Sequence, residues 1–155
     1  MSKSVKRVEI AAQTIGLDVK IEKMPESTRT AMDAASACGC SVGQIVKSMI
    51  FEGSETGNLK LLLVSGDHNV DLTKAKELFG EPLVKADPKR VRAETGFAIG
   101  GVSPIGHLSE IETWMDAVLL DHGVVWAAAG TPNAVFCIAP HSLKKATQAE
   151  LFQID

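Results

Sequence analysis

The chain reads as one α+β domain over residues 1–155, with a curved, barrel-like, mixed and largely antiparallel sheet flanked by helices. Three observations predict this. Helical periodicity opens the chain, and the β-type apolar runs gather later. Turn sequences rather than regular helices separate most of those runs, which argues against a βαβ series. Hydrophobic residues make up 45% and charged residues 23% of the chain, the balance of a sequence that folds around a core of its own.

The elements run in order along the chain. Val5 to Ile15 puts Val8, Ala11, Ala12 and Ile15 at helical spacing, and Gly16 stops that helix. Val19-Lys20-Ile21 alternates like a short strand and ends before Pro25, after which an alanine-rich helix opens at Ser27 or Thr28 and runs to Cys38-Gly39. Gln44 to Phe51 and Leu59 to Ser65 are strands joined by a hairpin loop. Asp71 to Phe79 reads as a helix stopped by Gly80, and Asp87-Pro88 as the N-cap and first residue of a helical turn ending at Gly96. Ile111 to Leu120, Val124 to Ala129 and Ala134 to Ile138 are divided by Asp121-His122-Gly123 and Gly130-Thr131-Pro132-Asn133, and so read as an antiparallel meander. Pro140 to Lys145 closes the series as a short helix.

Composition excludes several classes. A net charge of −3 speaks against a broad nucleic-acid surface, and DNA is not expected as a partner, although a local patch such as Lys85, Lys89, Arg90 and Arg92 can still meet a structured RNA end. Those four residues equally suit a solvated face. Cys38, Cys40 and Cys137 are an odd count, with Cys38 and Cys40 separated by a single residue, and read as reduced thiols. The four histidines lack metal-ligand spacing, so no metal or cofactor is expected. No signal core or membrane-length apolar run is present, which predicts a cytoplasmic protein without a membrane partner.

Two features carry chemistry. From Thr95 to His107 the chain sets Gly96, Gly100, Gly101 and Gly106 with Pro104 between apolar residues. Glycines let backbone N–H groups approach a ligand, and proline stiffens the loop, so this segment either presents amides to an oxyanion or makes a tight connection. The second feature is Lys47, which alternation puts on the same strand face as Ile45, Met49 and Phe51. An ammonium there either snorkels from an edge strand or points into a cleft to meet an anionic or polar ligand.

Val42-Gly43-Gln44-Ile45-Val46-Lys47-Ser48-Met49-Ile50-Phe51, then Gly100-Gly101-Val102-Ser103-Pro104-Ile105-Gly106-His107, then Gly130 resemble the YbaK/ProX family of aminoacyl-tRNA deacylases, relatives of the editing domain of prolyl-tRNA synthetases. The resemblance spans nearly the whole chain. It implies a trans-editing enzyme that hydrolyses the ester of mischarged tRNA, with tRNA-Pro or a related tRNA as carrier and alanine, serine, threonine or cysteine as the acyl group. Its partner is the acylated 3′ end, with prolyl-tRNA synthetase as a further candidate. Lys47 would contact the terminal adenosine or the ester, and Gly100, Gly101 and Pro104 would supply the backbone that polarises the carbonyl. An activated ester needs chiefly positioning and oxyanion donors, so water or a nucleophile of the aminoacyl group itself can attack.

Other residues are candidates by position. Met49, Ile99 and Val102 can wall a selective pocket, or belong to the core. His107 can carry a proton or anchor its loop. Gly130 and Asn133 correspond to a second family glycine site, where Asn133 can donate to substrate or to its own turn. Ser103 lacks the second glycine of a nucleophile elbow and reads as loop structure. Asp67 to Asp71 lacks the glycine and the closing glutamate of a calcium loop and reads as a turn before a helix. Two rivals stand beside the deacylase reading: a non-catalytic module that binds tRNA or a synthetase, and a small-molecule esterase using Ser103 and His107.

Overall fold

The computed structural model describes residues 2–25, 28 and 30–154. Helix α1 spans Lys3–Thr14; the Ser2 side chain accepts the Val5 N–H at its start, and Val5, Val8 and Ala12 are its buried face. Strand β1 is Ile21–Lys23, two residues beyond the expected start at Val19. Helix α2 is Ala31–Cys38, with Thr30 accepting the Asp33 N–H and Gly39 closing it at φ 69°. Ser27, one expected start, lies outside the described residues. Thr28, the other, precedes the helix and donates its N–H to the Pro132 carbonyl at 2.7 Å.

Strands β2 (Val46–Gly53) and β3 (Leu59–Ser65) pair antiparallel from Val46 opposite Ser65 to Glu52 opposite Leu59, the hairpin expected. Asp71 caps a 3₁₀ turn over Leu72–Lys74, and helix α3 occupies only Ala75–Phe79 of the helix expected from Asp71. Strand β4 (Leu83–Lys85) was not legible as a strand, being two-thirds exposed and paired only with Phe51–Gly53. Helix α4 (Pro88–Thr95) has the expected Asp87 cap and Gly96 stop. Strands β5 (Glu112–Asp116), β6 (Val125–Ala128), β7 (Ala134–Ile138), helix α5 (Pro140–Thr147) and strand β8 (Glu150–Phe152) complete the chain.

The expected barrel does not close, and the expected meander is split. The described residues form two sheets: a five-stranded one in the order β4-β2-β3-β5-β8 and a three-stranded one in the order β1-β7-β6. Strand β5 runs parallel to β3, and β8 parallel to β5, whereas β7 is antiparallel to both β1 and β6. The break falls at Asp116, whose carboxylate accepts the Val118 N–H and starts a 3₁₀ turn over Ala117–Asp121 in place of the strand expected to Leu120. The chain then crosses to the other sheet.

Every residue of β3 is buried. Leu61 and Leu63 enter the main core with α1 and the three-stranded sheet, while Leu62 and Val64 enter a second cluster with Phe79 and Phe152. That explains the unbroken run Leu61-Leu62-Leu63-Val64, since a strand covered on both faces has no solvent side to mark with polar residues.

One buried charge in β3 is neutralised locally. Lys60 pairs with Glu112 and stands 3.4 Å from Glu81, whose carboxylate accepts the N–H groups of Glu55 and Thr56 and the Thr56 hydroxyl, each at 2.9 Å. A Cβ on Gly53 would fall 2.3–2.4 Å from that carboxylate, so a larger residue there would have to displace the Glu81 side chain from its donors. The Thr56 N–H first, then the other donors, hold the Glu81 carboxyl down at about 2. A lowered carboxylate contributes stability in full above the ordinary carboxylate range, and that stability drains away as pH falls toward the lowered value. The urea midpoint is therefore expected to drop between about pH 5 and about pH 2, and Glu81→Gln to start lower and to flatten that drop.

Candidate functional site

The two sheets meet at a parallel bridge between Ile45 and Trp126. Strand β4 pairs with β2 only from Phe51 onward and leaves the first half of β2 without a strand partner on that side among the described residues. A cleft of about 330 Å³ occupies the gap. Val46 to Met49 of β2 form one wall and Trp126 to Ala128 of β6 the other, with Ala31 and Ala34 of α2 and Ile99, Gly100 and Val102 of the glycine loop completing it.

Lys47 lines the cleft. Its ammonium donates to the carbonyl of His68, across the cleft end of the sheet. Burial pushes its pKa below the ordinary lysine value, against the opposing pull of Asp116 and Asp67. Met49 also lines the cleft, while packing partly against the second core cluster.

The glycine loop reaches the cleft as a tight turn. Gly101 N–H donates to the Ala98 carbonyl at 3.0 Å, and Gly100 at φ 98° sits third of the four residues, where a type II turn needs a positive φ. Ile99, 57% exposed, is therefore carried at the tip, with Gly100 and Val102 on the lining. Gly101 faces away: a Cβ there would lie 2.9 Å from the Thr131 Cα and carbonyl carbon. Its amide is already used within the turn, whereas the Gly100 N–H has no hydrogen-bond partner among the described residues.

The remaining sequence candidates stand behind this lining. Ser103 is fully buried, and its hydroxyl accepts the Ile105 N–H at 3.2 Å. His107 Nε2 donates to the Ser103 carbonyl at 2.7 Å and its ring meets Phe97 edge-on. Burial pushes the His107 imidazole below the ordinary histidine value, against the opposing bond to the Ser103 carbonyl. The Ser103 hydroxyl and the His107 ring therefore do not form the dyad an esterase would need. Pro104 and His107 line a separate surface hollow with Ala11 and Ile15. Gly130, at φ 102°, packs against the Ser4 backbone, and the Asn133 carbonyl holds Met24 by accepting its N–H at 2.6 Å. Both fasten the turn against which Gly101 rests.

Sequence reasoning passed over Ser48, which lines the cleft beside Lys47. Its hydroxyl is buried and, among the described residues, is the one buried side-chain polar atom without a hydrogen-bond partner. Such a group costs about 1–3 kcal/mol until something bonds it. Only the contrast of a serine among Val46, Met49 and Ile50 could have drawn attention to it.

Comparison with known proteins gives this arrangement its context. The family model of the aminoacyl-tRNA editing domain matches residues 25–146. The chain belongs to that family. Within it, the protein is similar in structure to a crystallised protein described as a proposed trans-editing enzyme for prolyl-tRNA synthetase, with a TM-score of 0.92 and 47% identity over 99% of this chain and 97% of that one. It is also 30% identical to the YwhH protein of Bacillus subtilis (strain 168), over 81% of this chain and 79% of that protein. A proposed Cys-tRNA(Pro)/Cys-tRNA(Cys) deacylase of Enterococcus faecalis, EbsC, is 25% identical over 83% of this chain and 79% of its own length. An editing domain thus sits on an α+β frame of two sheets, with its cleft where they part. No helix among the described residues is long and apolar enough to cross a membrane.

Proposed function

We propose that this editing domain hydrolyses, in trans, the ester that joins a wrongly attached amino acid to the 3′ end of a tRNA. One observation carries the reading: Lys47 and the Gly100 turn line the same cleft, from two segments that lie far apart in the chain. The ester carbonyl would lie between them. Water, or a nucleophile within the aminoacyl group, attacks the carbonyl carbon; the carbonyl oxygen takes the negative charge. The bond to the ribose oxygen then breaks, and that oxygen leaves with a proton. The ammonium of Lys47 and the open Gly100 N–H stabilise the transient oxyanion, and apolar walls strengthen both contacts. His107, bonded to the Ser103 carbonyl, keeps the loop in place.

The cleft volume is at the low end for ligand pockets and suits a small acyl group, in the manner of a second sieve. Met49, Ile99 and Val102 then set the size limit. The structural neighbour's description and the EbsC name favour tRNA-Pro as carrier and prolyl-tRNA synthetase as the enzyme whose errors are cleared.

The test is turnover. Purified protein is incubated in separate reactions with tRNA-Pro carrying alanine, serine, threonine, cysteine or proline, and free amino acid is measured. Release from at least one mischarged species, with prolyl-tRNA-Pro spared, is expected. Tight binding of the acylated tRNA without release would overturn catalysis and leave a binding module.

A further inference from the structure

Lysine has four flexible bonds in its side chain, and a lysine that must meet a developing charge loses rate if it wanders. Lys47 is tethered. Its ammonium is bonded to the His68 carbonyl, and His68 is itself held from two sides: its N–H donates to Ser65 O at 2.9 Å, and its ring Nδ1 donates to Asp116 Oδ2 at 2.7 Å. Asp116 is 1% exposed. The same Oδ2 accepts the Ser65 N–H at 3.1 Å, and Oδ1 accepts the Val118 N–H at 3.2 Å. The Ser65 hydroxyl in turn donates to Gly43 O at 2.8 Å. A carboxylate buried that deeply is costly unless its oxygens are filled. Here three donors fill them, and two of the three belong to the turn from Ser65 to His68.

We infer that His68 and Asp116 are positioning residues for Lys47, a clamp that fixes one of the three N–H bonds of its ammonium on the His68 carbonyl and leaves two for the ester oxygen. The role rests on the deacylase reading of Lys47. Neither His68 nor Asp116 lines the cleft, so both act through the lysine. His68 contributes the adjustable part, because its side chain is 29% exposed and can be truncated with little loss of packing.

The experiment compares His68→Ala with His68→Asn, whose amide nitrogen stands where Nδ1 stands and can still donate to Asp116. For the alanine variant kcat is expected to fall about 10-fold with KM within about twofold, and for the asparagine variant most of kcat is expected to return. On a Lys47→Ala background, His68→Ala should cost nothing further, since the group it positions is gone. An unchanged kcat, a rise in KM alone, a loss that asparagine does not repair, or the same fold loss without Lys47 would each overturn the clamp. A second readout needs no substrate. The Lys47 ammonium should give a slowly exchanging NMR signal in the wild type and in His68→Asn, and lose it in His68→Ala. A signal unchanged in the alanine variant overturns the clamp, whereas absent turnover with the signal lost as expected overturns only the deacylase reading.

Discussion

Lys47→Ala is expected to slow release of the amino acid from mischarged tRNA by roughly 100- to 1,000-fold, the range for removing one donor to an oxyanion. Measured as single-turnover release, the loss should fall on the chemical step. The protein should stay folded, because the substitution removes a half-buried ammonium whose desolvation already opposes its charge, while β2 keeps its pairing with β3 along its full length. Lys47→Met is the sharper control. It retains the apolar stem beside Met49 and removes only the charge, so a loss equal to that of alanine assigns the effect to the ammonium. A rate within about threefold of wild type for both variants would remove Lys47 from the reaction.

Gly101→Ala should act on the other half of the cleft. Its new methyl would meet the Cα and carbonyl carbon of Thr131 at 2.9 Å. Backbone cannot yield as a side-chain tip can, and Thr131 is itself held by the turn that Gly130 packs onto Ser4. The Ala98–Gly101 turn must therefore lift, and Gly100 leaves its place on the lining. Overpacking of this kind costs about 1–3 kcal/mol, read as a melting temperature lower by roughly 3–10 °C for a chain of this size. A displacement near 1 Å at the reacting centre adds a rate loss of about 100-fold. Wild-type melting and turnover together would show that the turn does not rest where the structure puts it.

Much of this was legible in the letters, for identifiable reasons. Gly16, Gly39, Gly80 and Gly96 each take a positive φ directly after a helix or its last turn, so the stops read from sequence were backbone facts. Asp71 and Asp87 each cap the helical turn that begins at the next residue, as read, whereas the cap of α2 is Thr30, two residues past the expected Thr28. The sheet arrangement was hidden, because alternation tells which face of a strand is buried but not which strand it joins: β5 reads like a partner for β6 yet pairs with β3 and β8. Within the site, Lys47 was visible as a charge in an apolar strand, and Gly100 as part of a glycine pair. His68 and Asp116 were not, since the pair forms across 48 residues and each looks ordinary where it stands. Ser103 and Pro104 stand out in the letters between Gly101 and Gly106, but both are buried, Ser103 with its hydroxyl on the Ile105 N–H and Pro104 at a hollow separate from the cleft.

The span of kinship and the span of cooperative folding do not coincide here. The editing-domain match runs from residue 25 to residue 146, whereas α1 plugs the main core with Val5, Val8 and Ala12 and supports Gly130 through Ser4. At the other end β8 covers the flank of β5 and adds Phe152 to the second cluster. Trimming the chain to the matched stretch would bare a strand flank ready to recruit another copy and undermine the seat of the glycine turn, so the ancestral signature marks out less polypeptide than the working unit requires.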